Sequence, residues 1–456
     1  MRLTTPLLLA SLTLAVSLPA QTPAADAADA RMLQDIYTAA LAAHPAYDNL
    51  RELVTKYPGR LAGSKSLEGA VRWGETALKA AGADRTELQP VVVPHWERGA
   101  PEKVAIAGAG PLAAAALGNS PATPAGGLTA PVVELQSLDE LKTTDVKGKI
   151  VFLNRPMNPA YVIPGKAYGE AGDQRNKGPA EAAKVGAVAV LVRSLTHALD
   201  DVPHTGNTTF APDAPRVPAA ALSTVAANRL SAALKADPAT RVTVSINART
   251  LPDAPSHNVL GEIRGSESPG KVIVIGGHLD SWDIAPGAHD DGAGIVQSIE
   301  VLRLLKAAGY KPRHTIRAVL FTNEENGTRG AAAYSTLAKE RNEIHVLAIE
   351  SDGGGHQPRG FNLGNPAGDA HLKAARWLPL FEPYGILYFQ AGRGATDVAP
   401  LLAHGATIAG IQSDTQRYFD IHHTVEDSLD KVNPRELALG AAAMASLVYL
   451  VDKNGL

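Results

Sequence analysis

From residue 258 onward, continuous apolar runs alternate with stretches of helical period. Residues 271–275 form an unbroken apolar run of the buried-strand type, and 316–322, 345–350 and 407–411 repeat it. Between them, 294–308 places Ile295, Ile299, Leu302 and Leu305 on one face, predicting a helix. Further helices are predicted over 329–339 and 434–451. Strands that alternate with helices imply an α/β fold, with a mainly parallel sheet covered on both faces.

The N-terminal half reads differently. Leu33, Ile36, Tyr37 and Leu41 recur at helical spacing within 31–41, and a second helix is predicted over 67–81, stopped by Gly82. Residues 57–64 between them form a turn-rich link, and 91–93 and 104–106 read as strands. From 107 to 131 Gly, Ala and Pro dominate, and short β-rich runs follow at 131–135, 149–153, 187–192 and 242–246, with a helix at 179–185. This pattern predicts a separate β-rich domain over 107–250, inserted between an N-terminal part at 21–106 and the main block at 251–456.

The first twenty residues stand apart: Arg2, then an apolar run over 7–18, then Pro19-Ala20 before Gln21, with a second small-residue site at Ala25-Asp26-Ala27. This reads as a cleaved signal peptide, too short for a comfortable membrane anchor, and no other stretch reads as a span. The 456 residues contain no cysteine, so disulfides and thiolate chemistry are excluded, and a periplasmic or secreted location is expected. The net charge of −3 without a basic block argues against a nucleic-acid partner.

Chemistry gathers where the predicted strands end. Residues 271–275 run into Gly276-Gly277-His278-Leu279-Asp280, 316–322 into Asn323-Glu324-Glu325, and 345–350 into Ser351-Asp352. The run 407–411 precedes a loop ending in His422-His423, and Gly287-Ala288-His289-Asp290-Asp291-Gly292 lies between the first strand and its helix. Singly these are ordinary caps and turns. Together they bring acids and imidazoles to one edge of one sheet, where open α/β sheets bind ligands. Carboxylates converging there repel unless cations sit among them, and mixed imidazole and carboxylate donors suit zinc.

The segments GGHLDSWD, PGAHDDGAG, FTNEENGTRG, AIESDGG and IHHTVEDS resemble the zinc exopeptidase family of bacterial leucyl aminopeptidases, glutamate carboxypeptidase and transferrin receptor. The Glu350-Ser351-Asp352 context and the doubled histidine are most similar to one of its carboxypeptidase branches. The resemblance implies two zinc ions. His278, Asp290 and Asp352 would hold one and Asp290, Glu325 and His423 the other, with Glu324 as general base. It also implies that Asp280 fixes the tautomer of His278, and that the Asp290–Asp291 peptide bond is cis.

His422 competes with His423, with the spacing to Asp427 favouring His423. His289 reads as exposed, either supporting a neighbouring ligand or incidental, and Asp427 as either a supporting acid or a helix cap. Arg393 could meet a substrate carboxylate, although it reads first as a solvated loop arginine. Residues 178–187 resemble the protease-associated domain inserted into many relatives. The expected partner is a short peptide, with a homodimer left open. The resemblance leaves open the choice among aminopeptidase, carboxypeptidase and dipeptidase, and keeps a single-zinc glutaminyl cyclase-type transferase and a non-catalytic binding protein as rivals.

Overall fold

The computed structural model describes residues 24–456; the expected signal peptide at 1–20 lies outside them. Two eight-stranded sheets organise the chain. The main sheet runs in the order Arg85–Glu97, Arg249–Ile263, His314–Phe321, Ser268–His278, Ile344–Glu350, Thr407–Ser413, Pro358–Gly364, Tyr388–Ala391. Its four central strands, from His314–Phe321 to Thr407–Ser413, are mutually parallel, and antiparallel pairings flank them on both sides.

Side-chain alternation explains why both faces are covered. Ile273, Ile275, Ile316, Ala318, Leu320, Leu347 and Ile349 pack into one large core beneath the helices Ala24–Leu41, Pro45–Lys56, Lys65–Ala80, Ala293–Ala307 and Pro434–Asn454. Val272, Val274, Val319, Phe321, Ala348 and Ile408 face the other way, against Tyr334 and Ala338 of the helix Arg329–Glu340. The Ala293–Ala307 helix is buried nearly all round, as its apolar composition requires. Against the expectation that no stretch beyond the N-terminus is long and apolar enough to span a bilayer, the Pro434–Asn454 helix is, yet it lies packed inside this core.

Chain order locates the crevice. From Ser268–His278 the chain passes to His314–Phe321 on one side and then returns to Ile344–Glu350 on the other. The two intervening helices therefore leave on opposite faces, and a crevice opens at the carboxyl end of the strand that finishes in His278.

The second sheet contains Lys103–Ile106, Gly110–Leu112, Ala114–Ala116, Leu128–Leu135, Ile150–Leu153, Ala189–Arg193, Ala219–Leu222 and Arg241–Ser245. The expected boundary at 106/107 needs moving, because Lys103–Ile106 pairs with Arg241–Ser245 inside this second sheet. At the other end, Arg249 already belongs to the main sheet. The block also carries helices that the β-rich reading missed, Pro164–Ala171 and Thr224–Ala236, the latter capped by the Ser223 hydroxyl on the Ala226 amide.

Candidate metal centre

The carboxyl ends of the central strands bring His278, Asp290, Glu324, Glu325, Asp352 and His423 to the wall of one cavity of about 380 Å³. His278 is the last residue of its strand, and Asp352 lies two residues beyond the Ile344–Glu350 strand. His278 Nε2 is 3.2 Å from Asp290 Oδ1 and 3.5 Å from Asp352 Oδ1. His423 Nε2 is 3.2 Å from Asp290 Oδ2 and 3.2 Å from Glu325 Oε2. Asp290 thus offers one carboxylate oxygen to each imidazole, and the Asp290–Asp291 peptide bond is cis.

The other ring nitrogens show what faces these carboxylates. His278 Nδ1 lies 3.0 Å from the Asp280 carbonyl, and His423 Nδ1 lies 3.3 Å from the Thr205 carbonyl, so each Nδ1 carries a proton and donates it. Each Nε2 is then a lone pair aimed at carboxylate oxygens unless a second proton or a cation intervenes. In the metal-free chain it is a proton. Burial disfavours charge on both rings, but the adjoining carboxylates raise their pKa values well above that of free histidine.

Asp290, although buried, is held well below the usual carboxylate range by His278 and His423. Burial pushes Glu324 up to about 7, with Asp352, Asp280 and Asp290 adding like charge, and pushes Glu325 up to about 8. The Glu325 Oε1 atom is buried and receives no hydrogen bond. Such a donor set, rich in acid and short of hydrogen-bond donors, suits a cation that displaces the imidazole protons.

The supporting contacts correct several expectations. The Asp280 carbonyl, rather than its carboxylate, sets the His278 tautomer; the carboxylate is 3.8 Å away. Its two oxygens instead accept the amides of Glu324 and Glu325, at 3.0 and 3.2 Å, and so orient the paired glutamates. His289 is buried, not exposed. It stacks on His356, and its Nδ1 accepts the Gly355 amide. Asp427 caps no helix; its carboxylate accepts the amides of His289 and Asp290 and holds the loop that presents the central aspartate.

His422 also reaches Asp290 Oδ2, at 3.3 Å, and stacks face to face on His423. Only His423 adds a contact with Glu325, which distinguishes the two rings. Gly294, in the first turn of the Ala293–Ala307 helix, lets that helix press against the end of the Ile344–Glu350 strand, since a Cβ there would lie 2.0 Å from the Ser351 carbonyl.

Two arginines went unnoticed in the sequence. Arg60, within the segment read as a simple turn, is fully buried and donates to the carbonyls of Leu279, Pro286 and Gly287, tying both ends of the 279–287 loop together. Arg175 comes from the second domain and lines the same cavity as the acids. It donates to Tyr168 Oη and to the Thr205 carbonyl, its Nη1 also lies 3.4 Å from His423 Nδ1, and no carboxylate lies within ion-pair distance of it among the described residues. Arg393 is exposed and is absent from the cavity wall. No pattern in the sequence marks Arg175, because its importance depends on where the second domain sits.

Residues 258–448 match Peptidase family M28. Over 408 residues the chain is 35% identical to carboxypeptidase Q of Bos taurus, an alignment spanning 89% of this chain and 84% of that protein. The chain belongs to Peptidase family M28. As a member it is a metallo-exopeptidase, and its likeness to carboxypeptidase Q favours that branch over the transferase rival. The crystal structure of a peptidase M28 precursor from Shewanella amazonensis SB2B is 32% identical, with a TM-score of 0.90 over 94% of this chain and 98% of that one. A zinc aminopeptidase from Bacillus subtilis shares the fold, with 20% identity and a TM-score of 0.65 over 90% of this chain and 95% of that one.

Proposed function

We propose that this M28 enzyme is an exported exopeptidase that uses two zinc ions to cleave dipeptides and short peptides with free termini. The observation that carries the two-zinc reading is Asp290, whose oxygens each approach a different imidazole at 3.2 Å. His278, Asp290 and Asp352 would hold one ion, and Asp290, Glu325 and His423 the other. When bound, the pair supplies Lewis acidity to a peptide carbonyl and lowers the pKa of a water.

The chain's own groups do the rest. Glu324 is only partly buried at the cavity, and its pKa near neutrality suits a base that takes the proton of the attacking water and returns it to the leaving amine. The Asp280 carboxylate, by accepting both glutamate amides, keeps Glu324 turned towards the cavity while Glu325 faces His423.

Substrate size follows from the second domain, which we read as the protease-associated insert. It contributes Tyr168, Arg175, Asn176, Asn207 and Thr209 to the wall that also holds the acids. A cavity of about 380 Å³ walled on that side suits short substrates. Arg175, a cation without a carboxylate partner among the described residues, is suited to a substrate carboxylate, in place of Arg393. The N-terminal charged-then-apolar segment and the lack of cysteine support export.

The test combines metal analysis with kcat/KM for a neutral dipeptide, its N-acetyl form and a ten-residue peptide. Two zinc ions per chain, with the dipeptide cleaved fastest, are expected. One zinc at full activity would remove the paired-metal reading, and equal cleavage of the long peptide would remove the size limit. Equal cleavage of the N-acetyl form would replace the dipeptidase reading with a carboxypeptidase one.

A further inference from the structure

The residues proposed to hold zinc all lie in the main domain, yet His423 is gripped from outside it. His423 sits in a loop just after the short helix Tyr418–Ile421, with φ 62°, a left-handed conformation uncommon for a residue with a side chain. Three hydrogen bonds join this turn to residues 204–205 of the second domain. The Thr205 amide donates to the His423 carbonyl at 3.1 Å, and His423 Nδ1 donates back to the Thr205 carbonyl at 3.3 Å. His204 Nδ1 donates to the His422 carbonyl at 2.8 Å.

The gripping loop is itself tied to the second domain at three points. The His204 amide donates to Ser194 Oγ at 2.9 Å, Thr205 Oγ1 donates to the Ala116 carbonyl at 2.7 Å, and the Gly118 amide donates to the Gly206 carbonyl at 2.9 Å. Gly206 is required here: its φ is 143°, and a Cβ would come within 2.5 Å of the Arg175 guanidinium.

We infer that His204 and the Thr205 backbone are positioning groups of the metal centre, through which the second domain sets the tautomer and aim of His423. Resting on the ligand assignment proposed above, this makes the zinc shared by Asp290, Glu325 and His423 dependent on the second domain. The zinc held by His278, Asp290 and Asp352 draws its nearest supports from the main domain alone: the Asp280 carbonyl on His278 Nδ1 and the Asp427 carboxylate on the Asp290 amide. His204 is buried, so the hydrogen bond it supplies to His422 is shielded from competing water.

The test uses the full chain with His204→Leu and His204→Asn, since the asparagine amide nitrogen can stand where Nδ1 stands. Zinc titration should show the parent taking up two ions and His204→Leu binding one as the parent does and the other about 10–100-fold more weakly. His204→Asn should recover most of the loss. Thermal melting of chelated and zinc-loaded samples supplies the second readout: the Leu variant should lose more of its melting temperature in the loaded form than in the chelated form.

Equal losses in both forms, or two ions bound at parental affinity, would overturn the inference and leave His204 an ordinary core residue. Failure of the Asn variant to recover binding would overturn the hydrogen-bond mechanism. A parent that takes up a single zinc would overturn the two-zinc reading first, and this inference with it.

Discussion

The two halves of the centre meet at Asp290 but are built differently. His278 ends a strand, and Asp352 follows the neighbouring parallel strand by two residues, so the sheet's own hydrogen-bond ladder sets their separation. Glu325 likewise follows a strand, but its partner His423 hangs on a loop that the second domain holds. A donor at a strand end inherits the precision of the sheet. One on a loop needs an outside support, and the support lets another domain influence the chemistry.

The largest expected effect lies where the halves share a base. Glu324→Gln should lower kcat by about 10²–10⁴-fold while both metals stay bound, read by turnover beside metal analysis. Loss of zinc in that variant, with Glu325→Gln keeping its metal, would reverse the two roles. Next come single-ligand changes that separate the halves. Asp352→Asn should weaken the strand-end zinc and Glu325→Gln the loop zinc, each seen as one lost ion in titration. If either change released both ions together, the halves would form a single unit.

The acidity of the centre yields a pH test. Glu325, pushed up to about 8, and the raised His278 and His423 keep protons in the folded, metal-free chain that the unfolded chain has released. Their stabilisation is therefore present at low pH and lost as pH rises, for Glu325 from about 4.5 through about 8 and for the two histidines from about 6.5 upward. Chelated protein should lose melting temperature across that window, whereas zinc-loaded protein should hold it, because metal replaces those protons. A chelated form that became more stable with rising pH would contradict the protonation states described here.

The smallest effect contrasts the two candidate arginines. Arg175→Gln should raise KM for a dipeptide about tenfold or more, in keeping with the roughly 1.5–3 kcal/mol of a charge-assisted hydrogen bond. Arg393→Gln, on an exposed loop, should change it less than about twofold. The reverse order would move the carboxylate contact to Arg393.

The parts legible in the sequence were those that depend on local pattern. The four central strands are apolar runs because both their faces are covered, and the acids after them are turns that begin at strand ends. The strand Arg249–Ile263 escaped notice because its first half is exposed and interrupted by Pro252 and Pro255, so no alternation marks it. The helix Pro45–Lys56 hid between turn-forming residues, with only Ala46, Leu50, Leu53 and Val54 buried.

In the site, residue type and order pointed to the metal-facing side chains, but contacts across the fold had to be seen. The choice between His422 and His423 rests on Glu325 and Thr205, which are 98 and 218 residues away from His423 in the chain. Burial of His289 and the reach of Arg175 depend equally on distant segments. Sequence spacing carries no record of either.

The second domain leaves the main sheet from Glu97 and rejoins it at Arg249, two residues paired directly across neighbouring antiparallel strands. From Arg85↔Glu262 to Glu97↔Arg249 the strands form a long stem whose tip a tight turn could close. Topologically the whole domain is thus a cassette, removable without rerouting any strand of the catalytic sheet. Exchange between relatives could alter what reaches the metal centre while leaving the sheet beneath it intact. An exchanged cassette would need a loop able to take hold of the histidine turn, so gain or loss of the domain would remodel the catalyst as well as its entrance.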